Sequence, residues 1–487
     1  MSLQFITGGS GAGKSEYLSR LVCEESVRRP HDNFIVVVPE QYTMETQKKL
    51  VHMHSRKGIL NIDVVSFERL AYKVFEELGG GNRPVLDDTG KNLIVRRVLE
   101  KEKKKLDYFG SSIEKTGFVS ELKSVISELL QYGITPQQLG EIGENVKEKQ
   151  QLSAKLKDIR LVYKEFMAFL STNYITSEEI LDVLCGLVEK SKLIAGSEII
   201  FDGFTGFTPI QYKLMRLLLV YSKGIKISVT IDKKERPTGH ESWNNLFFMS
   251  KEMMNRLIAI CEEEGINVDD TVCVDRDINY RYEGAKDLAY LERNLFRYKG
   301  GVYTGTPENI RIYEGSNPKE ELQYIVSEIL QLTRKEGFRY RDIAVVTADL
   351  ETYGKVAANM MKQNDIPAFL DYKRSVAANP YVEMLCSALE IVEKGYPYDT
   401  MFRYLRTGLT GISRHDIDML ENYCLAVGIR GSRAWHEPWK KKMKRSTYQP
   451  ELETLNALRE QIMAPFLNLE AALKDKEANV RAYVTAV

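Results

Sequence analysis

The sequence predicts an α/β protein: a parallel sheet covered on both faces, a long helical insertion, and a second α/β unit. Three observations carry this prediction. The chain opens with an apolar run (3–7), a glycine loop and a helical pattern from Glu16. Short β-branched runs at 34–38 and 62–66 then alternate with helical segments, and similar runs return at 198–202 and 226–231. Between these two groups the chain turns rich in Lys, Glu, Leu and Gln, with apolar residues at helical spacing (Leu122, Val125, Ile126, Leu129, Leu130). Alternating strand and helix followed by a resumed strand pattern implies a sheet interrupted by an inserted domain.

Taken in order, the loop Gly8-Gly9-Ser10-Gly11-Ala12-Gly13-Lys14-Ser15 matches G-x-x-x-x-G-K-[ST]. It has the strand before and helix after that a phosphate-binding P-loop needs. Its glycines let consecutive N–H groups curl inward, and the helix adds the positive end of its dipole. Lys14 is the expected ligand of the β/γ-phosphates and Ser15 the expected support for Mg²⁺. The run 34–38 suits a buried parallel strand, with a short helix expected over 43–51. The run 62–66 is the next strand and 67–78 the next helix. A break at 79–84 opens the helical insertion, and a helical stretch is expected over 243–264. A second break falls at 300–307; beyond it, strands are expected at 310–313, 343–346 and 368–370 and helices at 318–335 and 351–364. The expected domains are 1–86 with 195–300, the insertion 87–194, a second α/β module over 301–379, and a helical region 380–487. The chain stops inside a helical pattern with no capping signal, as expected of a piece of a longer protein.

Composition narrows the classes. Lys+Arg and Asp+Glu are both 68, so net charge announces no polyanionic partner. The six cysteines (Cys23, Cys185, Cys261, Cys273, Cys386, Cys424) form no C-x-x-C and no zinc-ligand spacing with histidine, and read as reduced core residues of a cytoplasmic protein. No apolar run approaches the ~20 residues of a membrane span. His52-Met53-His54 is too sparse for a metal site, and no Ser-His-Asp or Cys-His constellation is visible. The basic runs 101–105 and 440–445 (the latter after Trp435 and Trp439) read first as solvated faces, although basic residues with aromatics also suit a nucleic-acid strand.

A family resemblance rests on a constellation beyond the P-loop: Val38-Pro39-Glu40-Gln41-Tyr42-Thr43, then Val65-Ser66-Phe67-Glu68-Arg69-Leu70-Ala71, then Phe201-Asp202-Gly203-Phe204-Thr205-Gly206-Phe207-Thr208-Pro209-Ile210-Gln211, then Tyr340-Arg341-Asp342-Ile343-Ala344-Val345-Val346 and Ile366-Pro367-Ala368-Phe369-Leu370-Asp371. In this order the segments resemble the AddB family of bacterial AddAB-type helicase–nucleases, in its N-terminal, helicase-like part. The resemblance implies two RecA-like P-loop modules with helical insertions, of superfamily 1 helicase type. It implies ATP and Mg²⁺ as ligands, DNA ends and single-stranded DNA as substrates, and a heterodimer with an AddA-type subunit in double-strand-break repair by homologous recombination. It further implies the scanning of a Chi-type sequence, with Gln41, Thr43, Phe67, Arg69, Tyr72, Phe204 and Phe207 on the matching loops. A nuclease domain with an iron–sulfur cluster on four cysteines belongs to the family's C-terminal part. This sequence carries neither its G-x-[IVL]-D-R-[IVL]-D signature nor a C-x-x-C.

The residues also bear on hydrolysis. The second helicase motif usually ends Asp-Glu; here the pair is Asp202-Gly203, which keeps the metal-supporting carboxylate but lacks the group that orients water. The position of the usual motif IV arginine aligns with Ala348, and almost nothing precedes the P-loop where an adenine-reading Gln often lies. Binding of Mg-ATP with weak or no hydrolysis is expected, against the alternatives of an active ATP-driven motor or a small-molecule kinase. Gly203→Glu is expected to raise hydrolysis if the rest of the site is complete. The plainer roles stay open: Phe67 and Tyr72 at helical core spacing, Phe204 and Phe207 packed between sheet and helix, Arg69 paired with a carboxylate, Gln41 and Thr43 capping a helix.

Overall fold

The structure, a computed structural model, describes residues 1–79, 84–115, 117–146, 149–235, 243–297, 301–371, 376–443, 450–475 and 480–486. The expected breaks at 79–84 and 300–307, and the end of the basic run 440–445, lie partly outside these. The chain divides into two compact units, Met1–Ile312 and Tyr313–Val487.

The first unit is built on β1 (Ser2–Gly8), α1 (Lys14–Arg28), β2 (Asn33–Val37), α2 (Thr43–Met53), β3 (Ile62–Val65) and α3 (Phe67–Leu78). The insertion follows, with β4 (Val85–Leu86), α4 (Asp88–Glu102), α5 (Phe118–Gln131), α6 (Pro136–Asn145), α7 (Gln150–Asn173) and β5 (Ile175–Thr176). The unit closes with α8 (Ile180–Cys185), α9 (Lys192–Ala195), β6 (Ser197–Phe201), α10 (Pro209–Tyr221), β7 (Gly224–Thr230), α11 (Phe248–Glu264), β8 (Asn267–Val268), β9 (Val272–Cys273) and α12 (Lys286–Asn294). The sheet runs β3-β2-β6-β7-β1-β8, with β9 also on β1, and every pairing is parallel.

The apolar runs are continuous because both faces of the sheet are covered. Alternation sends Ile35 and Val37 to one core, with Phe5, Phe201 and helices α3, α10 and α11, and Phe34 and Val36 to the other, with Leu18, Val22 and Leu50 of α1 and α2. All first-module strands point the same way, so the turns after β1, β2, β3, β6 and β7 gather at one carboxyl edge, where open α/β sheets bind ligands.

The insertion is helical as expected, around Val95, Leu99, Ile126, Val162 and Phe166. Two buried charged residues brace it, Asp158 within the insertion and Lys91 between its entry and exit. Fully buried Asp158 accepts hydrogen bonds from the amides of Asp107, Tyr108 and Phe109 at 3.0, 2.8 and 2.9 Å. Buried Lys91 spans to Glu178 (2.8 Å) and Ser177 (3.0 Å), beside the short β4–β5 pair.

The region after residue 301 departs from expectation. Helices form as read, α13 (Pro318–Lys335) and α14 (Leu350–Gln363), packed around Val326, Ile329, Met361 and Ile366. Yet 310–313, 343–346 and 368–370 form no strand. The reason is pairing: an apolar β-branched run becomes a strand only beside a hydrogen-bonding neighbour. Ile312, Val346 and Phe369 are at least 90% exposed, so no neighbour covers them among the described residues. Farther along, α15 (Pro380–Lys394), α16 (Tyr398–Leu405), α17 (Arg414–Val427), α18 (Ser432–His436) and α19 (Leu452–Lys474) pack around Ile391, Tyr396, Trp435 and Phe466.

Candidate nucleotide site and the edge around it

The loop after β1 reverses the chain and launches α1 from Gly13, with no side chain capping the first turn. The amides of that turn therefore face outward, as an anion site requires. Gly11 has φ +70°, and a Cβ there would come within 2.5 Å of the Arg281 Cβ, so this glycine serves both the turn and a close approach. Lys14 folds back over the loop, its Nζ donating to the carbonyls of Gly8 (2.8 Å) and Gly9 (2.9 Å). Burial lowers its pKa below the ordinary lysine value, Asp202, Asp275 and Glu292 oppose that, and Arg281 adds to it.

Asp202 stands at the end of β6. Ser228 of β7 donates to its Oδ1 at 2.5 Å and accepts from the Gly203 amide at 3.3 Å. One cavity of about 400 Å³ is lined by Ser10, Gly11, Gly13, Lys14, Ser15, Asp202, Ser228 and Arg281, among others. Ser10, Gly11, Gly13, Lys14 and Ser15 of the loop thus share one cleft with Asp202. A free helix N-terminus, a lysine, a hydroxyl and an oriented carboxylate around one cleft fit a magnesium–nucleotide. Ser15 and Asp202 are the protein groups able to support the metal, directly or through water.

Sequence reasoning missed a second set of residues here. Asp275 accepts from the Gly9 amide (2.8 Å) and, through its other oxygen, from the Lys233 amide (2.9 Å). Buried Asn279 donates to the Ser10 carbonyl (3.3 Å) and Asp275 (3.1 Å). Glu292 takes the Ser10 amide; burial raises its pKa and the neighbouring Asp275 and Asp232 raise it further. These residues lie more than 260 positions from the loop, and no local pattern announces them. The parallel pairing of β9 with β1 delivers them.

Gly203 carries a backbone constraint as well. It has φ +85°, and a Cβ there meets Pro39 at 3.5 Å. The left-handed backbone costs a side-chain-bearing residue ~1–2 kcal/mol. Gly203→Glu is therefore expected to lose about that much stability in urea unfolding, a cost set against any gain in hydrolysis that the new carboxylate brings. A several-fold gain in turnover without loss of stability would contradict this. Ala348 is exposed in the second unit.

The DNA candidates divide by burial. Phe67 is 8% exposed and Thr43 is 5% exposed, with Thr43 Oγ1 on the Glu40 carbonyl (3.0 Å). Both are packing or turn residues. Phe67, Phe201, Phe204 and Phe207 form one aromatic cluster with centroids 5.4–6.0 Å apart. Phe204 and Phe207 keep part of their surface open, and Gln41, Arg69 and Tyr72 are exposed. Arg69 pairs with Glu40 at 3.1 Å, both more than half exposed.

The remaining motifs resolve plainly. In the run 101–105, Lys101, Lys103 and Lys105 pair with Glu165, Glu114 and Glu102. Trp435 and Trp439 are buried, so neither ring stands open beside exposed Lys440 and Lys441. His54 is buried on Ser26 (3.1 Å). Among the described residues no group of three His, Cys, Asp or Glu is arranged to hold a metal by itself, and no helix is long and apolar enough to cross a membrane.

Fold and site define a parallel α/β protein with a P-loop at the carboxyl edge of its sheet. Residues 5–292 match the family described as ADDB, N-terminal. The chain belongs to that family. It is 41% identical over its whole length to the B component of the ATP-dependent helicase/deoxyribonuclease of Lachnoclostridium phytofermentans, covering 42% of that protein. Proteins of the same name from Clostridioides difficile and Clostridium novyi are 35% and 33% identical over 98% of this chain, which covers 42% and 41% of them. The chain thus spans about two fifths of the length of these relatives.

Proposed function

We propose that this chain is the nucleotide- and DNA-binding, helicase-like part of an AddB-type protein, its first unit a RecA-like module of superfamily 1 type. It holds Mg-ATP with weak or no hydrolysis and guides single-stranded DNA from broken ends along the carboxyl edge of the sheet. The same reading includes scanning for a Chi-type sequence, a cytoplasmic location and pairing with an AddA-type subunit. The nuclease and iron–sulfur cluster are read as properties of the family's C-terminal part.

The observation that carries the reading is the P-loop facing Asp202 across one cleft, with Asp202 held by Ser228. Bound Mg²⁺ supplies charge neutralisation on the phosphates. The chain's own residues do the rest: the loop amides and Lys14 bind, while Ser15 and Asp202 orient. The Asp202-Gly203 pair offers no side chain at the position after the carboxylate to activate water, which favours retention over turnover.

For DNA, support comes from Gln41, Arg69, Tyr72 and the open edges of Phe204 and Phe207, which border the same sheet edge. Aromatic faces stack bases at roughly 1–3 kcal/mol each. The exposed Arg69–Glu40 pair is worth only about 0–1 kcal/mol, so Arg69 can exchange it for a phosphate at little cost. Arg69→Ala is expected to leave thermal unfolding almost unchanged and to weaken binding of a labelled single strand at fixed salt. Tyr72→Ala is expected to do likewise. Unchanged DNA affinity in both variants would remove this edge from the DNA path. Sustained DNA-stimulated turnover of tens per second would favour the motor instead.

A further inference from the structure

We propose that Lys440, Lys441 and Lys442 bind the phosphate backbone of nucleic acid, a contact carried by the second unit in addition to the sheet edge of the first. The inference rests on the reading that this chain binds DNA. It adds to that reading a second set of residues and a mode of recognition, through charge.

Three observations support it. The first is the lack of acid partners. The protein is neutral overall, with 68 basic and 68 acidic side chains. In the other basic run, Lys101, Lys103 and Lys105 each meet a glutamate. In the helical region that carries 440–442, Lys394, Arg403, Arg406, Arg433 and Lys474 each meet a carboxylate. Lys440, Lys441 and Lys442 are all exposed, and among the described residues none of their ammonium groups has an ion pair or a hydrogen bond. Consecutive like charges with no acid between them repel one another, and an anion laid across them removes that cost.

The second is fixation. Residues 438–443 belong to no helix or strand, yet side chains of two helices hold their backbone. Asn456 of α19 accepts from the Trp439 amide (2.8 Å) and donates to the Trp439 carbonyl (3.0 Å). Tyr423 of α17 donates its hydroxyl to the Lys441 carbonyl at 2.7 Å. Buried Trp439 donates its indole N–H to the Ala434 carbonyl at 2.8 Å, and its ring lies 5.2 Å from Tyr423 and 5.4 Å from Trp435. The core thus grips the backbone and leaves the lysine side chains outside. Cations on a held backbone lose less freedom on binding than cations on a free loop.

The third is the chemistry that the segment presents. Both tryptophans face inward, so the segment turns charge outward rather than an indole for base stacking. A lysine is a point charge with three donors, suited to a phosphate oxygen and indifferent to the base beside it. Three in succession match a row of phosphates better than a single small anion.

The test is fluorescence anisotropy of the whole chain on a labelled oligothymidylate strand and on a labelled blunt duplex, each over a series of salt concentrations. One variant combines Lys440→Ala, Lys441→Ala and Lys442→Ala, and a second changes the same three residues to arginine. A control of equal charge combines Lys101→Ala, Lys103→Ala and Lys157→Ala, lysines that already have carboxylate partners. The alanine changes leave the backbone hydrogen bonds of Trp439 and Lys441 in place, so urea unfolding should match wild type. Each lost phosphate contact lowers the slope of log K against log salt by about 0.7 on a single strand and about 0.9 on a duplex. The alanine variant should therefore lose roughly 2–3 from the slope and about ten- to a hundredfold in affinity at low salt. The arginine variant should keep both, and the control should change neither. A loss on the strand, on the duplex or on both supports the inference and names the form of nucleic acid that reaches the site. If wild type binds neither probe, the DNA reading falls and this inference with it. If wild type binds and the alanine variant keeps its slope and affinity on both probes, this inference alone is overturned. Weaker binding with an unchanged slope, or an equal loss in the control, would show that these lysines do not touch phosphates and would also overturn it.

Discussion

Lys14→Ala is expected to reduce affinity for Mg-ATP by about 2–4 kcal/mol, roughly thirty- to a thousandfold in Kd. Lys14 donates to the Gly8 and Gly9 carbonyls. On binding, that ammonium transfers to phosphate, and alanine offers nothing in its place. A pH dependence should accompany it. Burial penalises the charged form, so the pKa lies below the ordinary lysine value of 10.5. Below the lowered pKa the side chain is charged, and affinity is full. As pH rises through it the charge is lost, so affinity falls at a lower pH than for an exposed lysine. The stability effect has the opposite sign. The penalty of burying the charge is present below the lowered pKa and is relieved as pH rises from there toward 10.5. Titration with a fluorescent ATP analogue at several alkaline pH values measures the first effect, and urea unfolding over the same range the second. An affinity flat up to the ordinary lysine pKa, or a Lys14→Ala variant that binds as wild type does, would show that the nucleotide is held elsewhere or not at all.

Phe201→Ala is expected to cost about 3–5 kcal/mol of stability. The ring is fully buried at the end of β6, with centroids 5.7, 6.0 and 5.9 Å from Phe67, Phe204 and Phe207. Its removal opens a cavity where strand, helix α3 and the following loop meet, and a parallel sheet flanked by helices collapses poorly around such a void. Because Asp202 is the next residue, nucleotide affinity should fall as well, through loss of position rather than of a contact. Phe204→Ala removes a partly exposed ring and should cost clearly less. Urea unfolding of the two variants side by side decides this. Equal losses would mean that the cluster is not organised around Phe201, and Phe204 would then be core rather than a candidate base-stacking surface.

Much of this protein was legible in local pattern. The eight loop residues, the β-branched runs of β1, β2, β3, β6 and β7, and the apolar spacing of the insertion are short-range signals. Strand period, helix period and glycine placement reflect steric and burial constraints acting within a few residues. They sufficed for the first sheet and for α3 and α13. Local pattern was misleading at 310–313, 343–346 and 368–370, where apolar runs lacked the neighbour a strand requires. It was also silent about Gly203, whose identity answers to a positive φ as well as to chemistry.

Tertiary structure alone decided which side chains share the cleft. Asp275, Asn279, Arg281 and Glu292 reach the glycine loop because β9 lies beside β1, and Ser228 reaches Asp202 because β7 lies beside β6. The same packing sorted the aromatics, closing Phe67 and Phe201 into the core while leaving part of Phe204 and Phe207 open. Strand order and ring packing arise from how the whole chain buries its apolar surface, a property no short window of sequence contains.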